Sequence, residues 1–367
     1  VSPHKDVCGG VFSQVFGVYY GWSDPCSFSS QSRVVGRSFC TFQDVDNKVN
    51  DHFWDLACEL MPDLKTVGWP DRSVEAEKKS YKLQCDRHVI HRSVPSKLEI
   101  DDTMSKILGK YKRHSLPEYW RNLDFFGAVE EMKSYVKPDA TPGVPYSLIA
   151  SRNDKLFEIL GVRFNEIVIE RINRRLSFTL DQFERFSPME LVDLGLCDPV
   201  RVFVKAEPHK IGKLKEGRVR LIHSVSIVDK IIEMIYMRHF TKLEIENWKE
   251  IPSKPGIGFT DDDCDFVYRD TLGRPVEMYS SDIEGWDWNV DKWQQITEAE
   301  RLILLCDSWK MDDSRYFISS RYWCHLVRAT AIIECKSVYQ FSDGVMIVNN
   351  FEGIVNSGKY KTSCGNS

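Results

Sequence analysis

The stretch Ser280-Ser281-Asp282-Ile283-Glu284-Gly285-Trp286-Asp287-Trp288 decides how this chain is read. It follows a short apolar alternation, Val276 and Met278, and alternation at period two argues a strand. Asp282 and Asp287 are an odd number of residues apart, so on a continuing strand they would face opposite sides. Either they act separately or the chain bends after Asp282. Gly285 makes a bend easy, because it lacks the Cβ that penalises positive φ. A bent strand end would offer Asp282 to a cation and leave Asp287 nearby for a second task. Alone, the pair also fits an acidic loop after an edge strand, since short motifs recur by chance. Its company along the chain has to decide.

The 367 residues suggest two or three domains, or one large elaborated one, with enough chain to bury a sizeable core. Hydrophobic residues at 42% and charged residues at 28% give a soluble, globular balance and exclude a disordered chain. A net charge of −5 does not advertise nucleic-acid binding, so any such site has to be a local basic patch on an acidic body. Eleven cysteines, an odd number with no Cys-x-x-Cys pair, favour reduced thiols in a cytosolic setting. The polar opening residues give no secretory signal, and no apolar run reaches membrane-spanning length. The run from Ile227 to Tyr236 carries Asp229, Lys230 and Glu233, and reads as an amphipathic helix. A start at Val1 and a small polar ending suggest a piece of a longer polypeptide.

In chain order, residues 1 to about 60 read as loops and short strands. Cys85-x2-His88-x2-His91 has metal-ligand residue types, but its spacing fits no common zinc finger and it lacks a fourth ligand. Residues 100–136 turn helical. Lys137 to Tyr146 then holds Pro138, Pro142, Gly143 and Pro145, which stop regular structure and make a stiff lip or a linker. Residues 151–192 again look helical, with Arg171, Arg174 and Arg175 read as a solvated basic edge. From Arg201 to Ile222 there are seven Lys or Arg against two Glu, between the alternation Val202, Val204 and the apolar Val219, Leu221 and Ile222. That is a basic hairpin, suited to phosphate, or a solvated basic loop. A helix from Val225 to Trp248 follows. Asp261-Asp262-Asp263 reads as a solvated loop. Trp293 to Trp309 has helical spacing, and Ala331 to Glu334 and Val345 to Val348 read as β-rich runs. At the end, Ser357-Gly358 suits a loop-to-helix junction, after which Thr362 and Asn366 share one helix face.

Each of these signals is weak singly, but their order is specific. Thr141-x-Gly143-x-Pro145, the hairpin ending Arg218-x-Arg220-Leu-Ile, Asp282-x4-Asp287, and Ser357-Gly358 with Thr362 and Asn366 resemble motifs G, F, A and B of viral RNA-dependent RNA polymerases. The local wording is most similar to that of the sobemovirus and polerovirus group. The match runs from residue 141 to 367. The resemblance implies an α/β right-hand polymerase fold, here with fingers and a partial palm. Residues 1–115 are an N-terminal region of uncertain role, a fingers extension or an upstream polyprotein product. Residues 116–275 are fingers with the template lip and nucleotide-tunnel hairpin, and residues 276–367 are a partial palm.

The resemblance also implies roles. Asp282 would be the catalytic metal ligand, for Mg2+ with Mn2+ able to substitute, in two-metal nucleotidyl transfer. Asp287 and Asn366 would read the ribose 2′-hydroxyl, supported by Ser357 and Thr362, while Gly358 lets the backbone approach the nucleotide or template. Lys205, Arg218 and Arg220 would line the nucleotide tunnel; Thr141, Gly143 and Pro145 would guide the template. The partners implied are RNA template and product, nucleoside triphosphates and a genome-linked protein primer, in host cytoplasm at viral replication complexes. The family's later Gly-Asp-Asp (motif C), motif D and thumb do not occur in this sequence. A permuted order with Asp261-Asp262-Asp263 as motif C is the alternative to truncation, and its flanks lack the needed apolar strands. The chain alone is therefore expected to bind one metal poorly and not to polymerise. The rival readings are a noncatalytic RNA-binding replication scaffold and a reverse transcriptase; the ribose-reading pair argues against the second.

Overall fold

Val200, Val202 and Val204 are buried and the residues between them half-buried, the period-two pattern of a strand with one face in a core. The structure, a computed structural model, describes residues 20–43, 51–88, 93–258, 260–271, 279, 285–308 and 314–360. Six of its strands form one sheet: β1 (Tyr20–Ser29), β2 (Ser32–Ser38), β4 (Val200–Val204), β6 (Leu221–Ser224), β7 (Tyr339–Gln340) and β8 (Val345–Asn349). Their order is β1-β2-β8-β7-β4-β6, antiparallel throughout except for the parallel pair β7–β4. A separate ribbon pairs β3 (Val67–Gly68) with β5 (His209–Lys210). Residues 20–38 are thus built into the same sheet as β8, with Val34 opposite Ile347.

The helices are α1 (Asp51–Leu60), α2 (Val74–Cys85), α3 (Lys97–Leu108), α4 (Glu118–Asn122), α5 (Phe125–Lys133), α6 (Asn153–Leu160), α7 (Val162–Ser177), α8 (Leu180–Arg185) and α9 (Pro188–Asp193). They continue with α10 (Ile211–Glu216), α11 (Ile227–Glu246), α12 (Asp261–Thr271), α13 (Trp286–Asn289), α14 (Lys292–Leu304) and α15 (Ser314–Glu334). Alternate residues of β8 divide between two cores, because successive strand side chains point to opposite faces. Met346 and Val348 join Val35 against Ala329, Ile332 and Ile333 of α15. Val345 and Ile347 join Val200, Val202 and Tyr339 against Tyr81 and Cys85 of α2 and against Trp288. A third core is helical: α11 lies among residues of α4, α5, α7, α14 and α15.

Four readings of the sequence change here, and each concerns a charge or a propensity overridden by its surroundings. Helix α11 is not amphipathic in the usual sense, since twelve of its twenty residues are buried, Glu233 and Glu244 among them. Its acids are internal partners: Glu244 takes Arg301 at 2.8 Å and Glu233 accepts the Tyr360 amide at 2.8 Å. Arg171 and Arg175 are likewise not a solvated edge, and only Arg174 behaves that way, paired with Glu170. Arg171 holds Asp198 through two bonds of 2.6 and 2.9 Å and reaches Asp229 at 3.0 Å. Arg175 reaches Asp229 at 2.7 Å and the Leu196 carbonyl at 2.9 Å. Asp261-Asp262-Asp263 is not a loop but the first turn of α12, where the helix dipole favours acids and Thr260 Oγ1 accepts the Asp263 amide. Finally, Ala331 to Glu334 closes α15 rather than forming a strand; burial of Ile332 and Ile333 against the sheet outweighs their β propensity, whereas Val345–Asn349 is the strand expected.

The Arg171–Asp198–Asp229–Arg175 network leaves no charge unbalanced, so removing one carboxylate strands a buried guanidinium. Asp229→Asn should lower stability by about 3–5 kcal/mol, seen as a lower urea midpoint at unchanged slope.

In the helical core, His239 Nε2 lies 3.0 Å from His114 Nδ1, and His114 Nε2 lies 3.0 Å from the Leu302 carbonyl. One proton per ring satisfies that chain, with each Nε2–H donating. Burial pushes His114 down to about 4 and His239 to about 3, from an ordinary 6.5. Both folded values lie below the unfolded value, so their contribution to stability is complete above pH 6.5 and is lost as pH falls toward 4. At about pH 5.5 the loss should be about 1 kcal/mol per histidine. Thermal melts across this range should show the slope, and His239→Gln, which keeps an Nε2 donor without a titrating ring, should reduce it.

Candidate functional site

The basic hairpin read from the sequence is present. β4 and β6 pair from Arg201 opposite Ser224 to Val204 opposite Leu221, and the Lys205 amide donates to the Arg220 carbonyl at 2.9 Å. Strand β5 and helix α10 enlarge its loop. Lys205 and Arg220 leave the mouth of the hairpin together, and both pair with Glu207, at 2.8 and 2.7 Å. Hydrogen bonding from Lys205, with Arg220 beside it, holds the Glu207 carboxyl below its usual range. Arg218 pairs with Glu216 at 3.1 Å. The Arg220 side chain is 64% exposed. Ion pairs exposed to this degree contribute about 0–1 kcal/mol, so a polyanion can exchange for Glu207 at small cost.

Beyond Arg220, β6 carries His223 and ends at Ser224, two residues before Ser226, which caps α11 by accepting the Asp229 amide at 3.2 Å. Other motif-bearing segments close on this exit. From one side, the Pro142 carbonyl accepts the Ile227 amide at 2.8 Å; Gly143 has φ +73°, and a Cβ there would stand 2.8 Å from the Val225 carbonyl oxygen. From another, Ser357 Oγ accepts the His223 amide at 3.1 Å, and a Cβ on Gly358 would stand 2.1 Å from the His223 carbonyl oxygen. β6 ends the sheet, so residues 357–358 cover an edge strand's unpaired groups. The Trp288 ring lies 5.2 Å from the His223 ring. The backbone just before Ser357 also grips the turn that carries Asp287: the Val355 amide donates to the Asp287 carbonyl and the Ile354 amide to the Val290 carbonyl, both at 2.9 Å.

The sequence-selected residues Thr141, Gly143, Pro145, Asp287, Ser357 and Gly358 therefore belong to segments that meet at one junction. Thr141 is exposed, with its Oγ1 3.4 Å from the Gly143 amide, while Pro145 is buried. Asp287 is half-buried on α13, and the bend expected at Gly285 is there, at φ +65°. At both Gly143 and Gly358 the backbone that approaches closely is that of the β6 exit. Asp282, Thr362 and Asn366, with the strand expected before Asp282 and the helix expected after Gly358, lie outside the described residues.

Of the candidate metal set Cys85, His88 and His91, the two described residues are each engaged elsewhere. Cys85 Sγ lies 3.4 Å from Asn349 Oδ1, its thiol pushed up to about 12 by burial; His88 Nδ1 donates to the Trp288 carbonyl at 2.8 Å; His91 lies outside the described residues. Among the described residues no group of three or more His, Cys, Asp or Glu could hold a metal ion. A residue missed by the sequence reading is His223: burial, with Lys359 nearby, pushes it down to about 4, and neither ring nitrogen has a hydrogen-bond partner among the described residues. A single histidine within a strand carries no pattern that would have singled it out.

Residues 103–367 match the sequence profile of a family described as viral RNA-directed RNA polymerase. The chain belongs to this family. The polymerase-family chain is 34% identical over 345 residues to the replicase polyprotein P2AB of Southern cowpea mosaic virus, covering 91% of the chain and 34% of that protein. It is 31% identical over 345 residues to protein P1-P2 of Potato leafroll virus (strain Potato/Scotland/strain 1/1984), covering 84% of the chain and 31% of that protein. It is 30% identical over 247 residues to the RNA-directed RNA polymerase of Mushroom bacilliform virus, covering 66% of the chain and 56% of that protein. The similarity to sobemovirus and polerovirus replicases thus holds over most of the chain, which spans about a third of the length of the polyproteins it matches.

Because the contact at Gly358 is with backbone, which cannot rotate away, Gly358→Ala should destabilise the polymerase-family chain by about 1–3 kcal/mol. Gly143→Ala adds positive-φ strain of about 1–2 kcal/mol to a similar clash. Gly212→Ala, in α10 where a Cβ would meet nothing within 4 Å, should be neutral or stabilising in the same denaturation assay.

Proposed function

We propose that this chain is the nucleotide- and template-binding part of an enzyme that makes RNA on an RNA template in the replication of a positive-strand RNA virus. The observation that supports it best is the meeting of the residue 141–145, 286–290 and 354–358 segments at the exit of the basic hairpin. In this reading the fold is a right hand, with residues 116–275 as fingers and 276–367 as part of the palm. Lys205, Arg218 and Arg220 would bind the triphosphate by exchanging their glutamate partners for phosphate oxygens. Asp287, with Asn366, would hydrogen-bond the ribose 2′-hydroxyl, an interaction in which Asp accepts and Asn can also donate. Ser357 and Thr362 would hold that pair in register, and Thr141, Gly143 and Pro145 would steer the template.

Asp282 would be the carboxylate for magnesium, with manganese able to substitute. The metal, when bound, would neutralise charge developing on the transferred phosphoryl group. The chain's own contribution would be to orient the nucleotide between the basic hairpin and the Asp287 turn, since phosphoryl transfer depends mainly on positioning and charge stabilisation. Partners would be RNA, nucleoside triphosphates and a genome-linked protein primer, in replication complexes of the host cytoplasm.

The test is primer extension by the protein expressed from its complete reading frame. Asp282→Asn should abolish synthesis and leave RNA binding intact. Arg220→Ala should raise the KM for nucleotides about tenfold, the loss of about 1.4 kcal/mol expected for one charge-assisted contact. A parent protein that binds RNA but makes none would sink the polymerase reading in favour of an RNA-binding scaffold, and undiminished synthesis by Asp282→Asn would remove Asp282 from the metal site.

A further inference from the structure

Arg87 and His88, the second and third residues after α2, grip the turn carrying Asp287 at both ends. At its start, the Arg87 guanidinium lies over Gly285, so that a Cβ on Gly285 would be 3.1 Å from Arg87 Cζ. At its end, His88 Nδ1 donates to the Trp288 carbonyl at 2.8 Å. The turn is only four residues long, with the Trp288 amide bonded to the Gly285 carbonyl at 3.1 Å. A helix this short has almost no carbonyl with an acceptor role inside it, so its carbonyls need outside donors. The Val355 amide serves Asp287, and His88 serves Trp288.

His88 is itself held on every side. It is 5% exposed. Its ring lies flat on Phe351, with centroids 3.6 Å apart and planes 4° from parallel. That stacking fixes the ring plane that aims Nδ1 at the carbonyl, while Nε2 faces the Asp291 carboxylate at 3.7 Å, beyond hydrogen-bond distance. Tyr81, one turn before the end of α2, meets the Trp288 ring edge-on at 5.1 Å. A histidine packed flat on Phe351 with Nδ1 committed to the Trp288 carbonyl is a rigid donor, whereas Arg87 provides a planar cap over a glycine that has no side chain to resist it.

We infer that Arg87 and His88 are positioning residues for sugar selection: they fix the Gly285–Trp288 turn and thereby set where the Asp287 carboxylate meets the ribose. This rests on the proposed role of Asp287 in reading the 2′-hydroxyl. A carboxylate that must accept from one hydroxyl tolerates little displacement, so a loosened turn should lose discrimination before it loses synthesis.

The experiment uses the protein from its complete reading frame, with the ratio of kcat/KM for ATP to that for dATP as the readout. Partial unfolding lowers both rates equally and leaves the ratio unchanged. His88→Leu should lower the ratio at least tenfold. His88→Asn, whose Nδ2 can donate close to where Nδ1 does, should restore it to within about threefold of the original. Arg87→Met, which keeps the aliphatic stem, should lower the ratio several-fold and carries the test if His88→Leu does not fold. An unchanged ratio in both Arg87→Met and His88→Leu, or in Arg87→Met alone where His88→Leu does not fold, overturns the inference, while synthesis by the parent protein and its loss in Asp282→Asn leave the polymerase reading standing. A parent protein that makes no RNA, or whose Asp287→Ala variant keeps full sugar discrimination, removes the reading on which the inference rests and the inference with it.

Discussion

Four paired charges, three of them buried and Asp229 half-buried, hold the root of the basic hairpin, and most of what surrounds the junction depends on them. Asp198 sits just before β4 and Asp229 just after the cap of α11, so the two strands of the hairpin enter and leave through one ionic knot. Arg171 and Arg175, one turn apart on α7, supply the opposite charge. Buried pairs of this kind are weak evidence for net stability, because desolvation offsets much of the attraction. Their value is directional: guanidinium and carboxylate must meet in a narrow geometry, and that geometry fixes the angle at which β6 passes into α11. Gly143 and Gly358 can then approach the β6 exit to distances at which any side chain would collide.

Much of this was legible in the sequence where local rules and tertiary structure agree. The alternation of Val202 and Val204, the Pro-rich lip and the bend at Gly285 are each specified by residues close in sequence. The hairpin was readable for the same reason. The buried charges were not, because charge is ordinarily a mark of the surface and its partners here lie far along the chain. A trace existed even so: Arg171 and Arg175 share a helical face with Ile167, Val168 and Ile172, and Ser226 followed by Asp229 is a capping pattern. The part played by His88 could not be read at all, since it depends on a carbonyl two hundred residues away.

The N-terminal residues have a structural meaning that composition alone could not assign. Their hairpin supplies two strands of the main sheet, and α2 supplies Tyr81 and Cys85 to the core under β7 and β8. The same helix delivers Arg87 and His88 to the turn at 285–288. A region that carries no family motif is therefore part of the frame on which the motif-bearing segments rest.

The sheet order also constrains how the protein comes to exist. β2 finds its outer partner in β8, so the N-terminal hairpin emerges from the ribosome roughly 300 residues before the strand that covers it. At elongation rates of about 5–20 residues per second that is a wait of about 15–60 s. Throughout it, Val35 and the open edge of β2 have no sheet to join, and loop closure over so long a span adds entropy that only late contacts repay. The sheet cannot close until nearly all of this chain has been made, which makes its assembly a late event in translation and its nascent hairpin a natural substrate for chaperones.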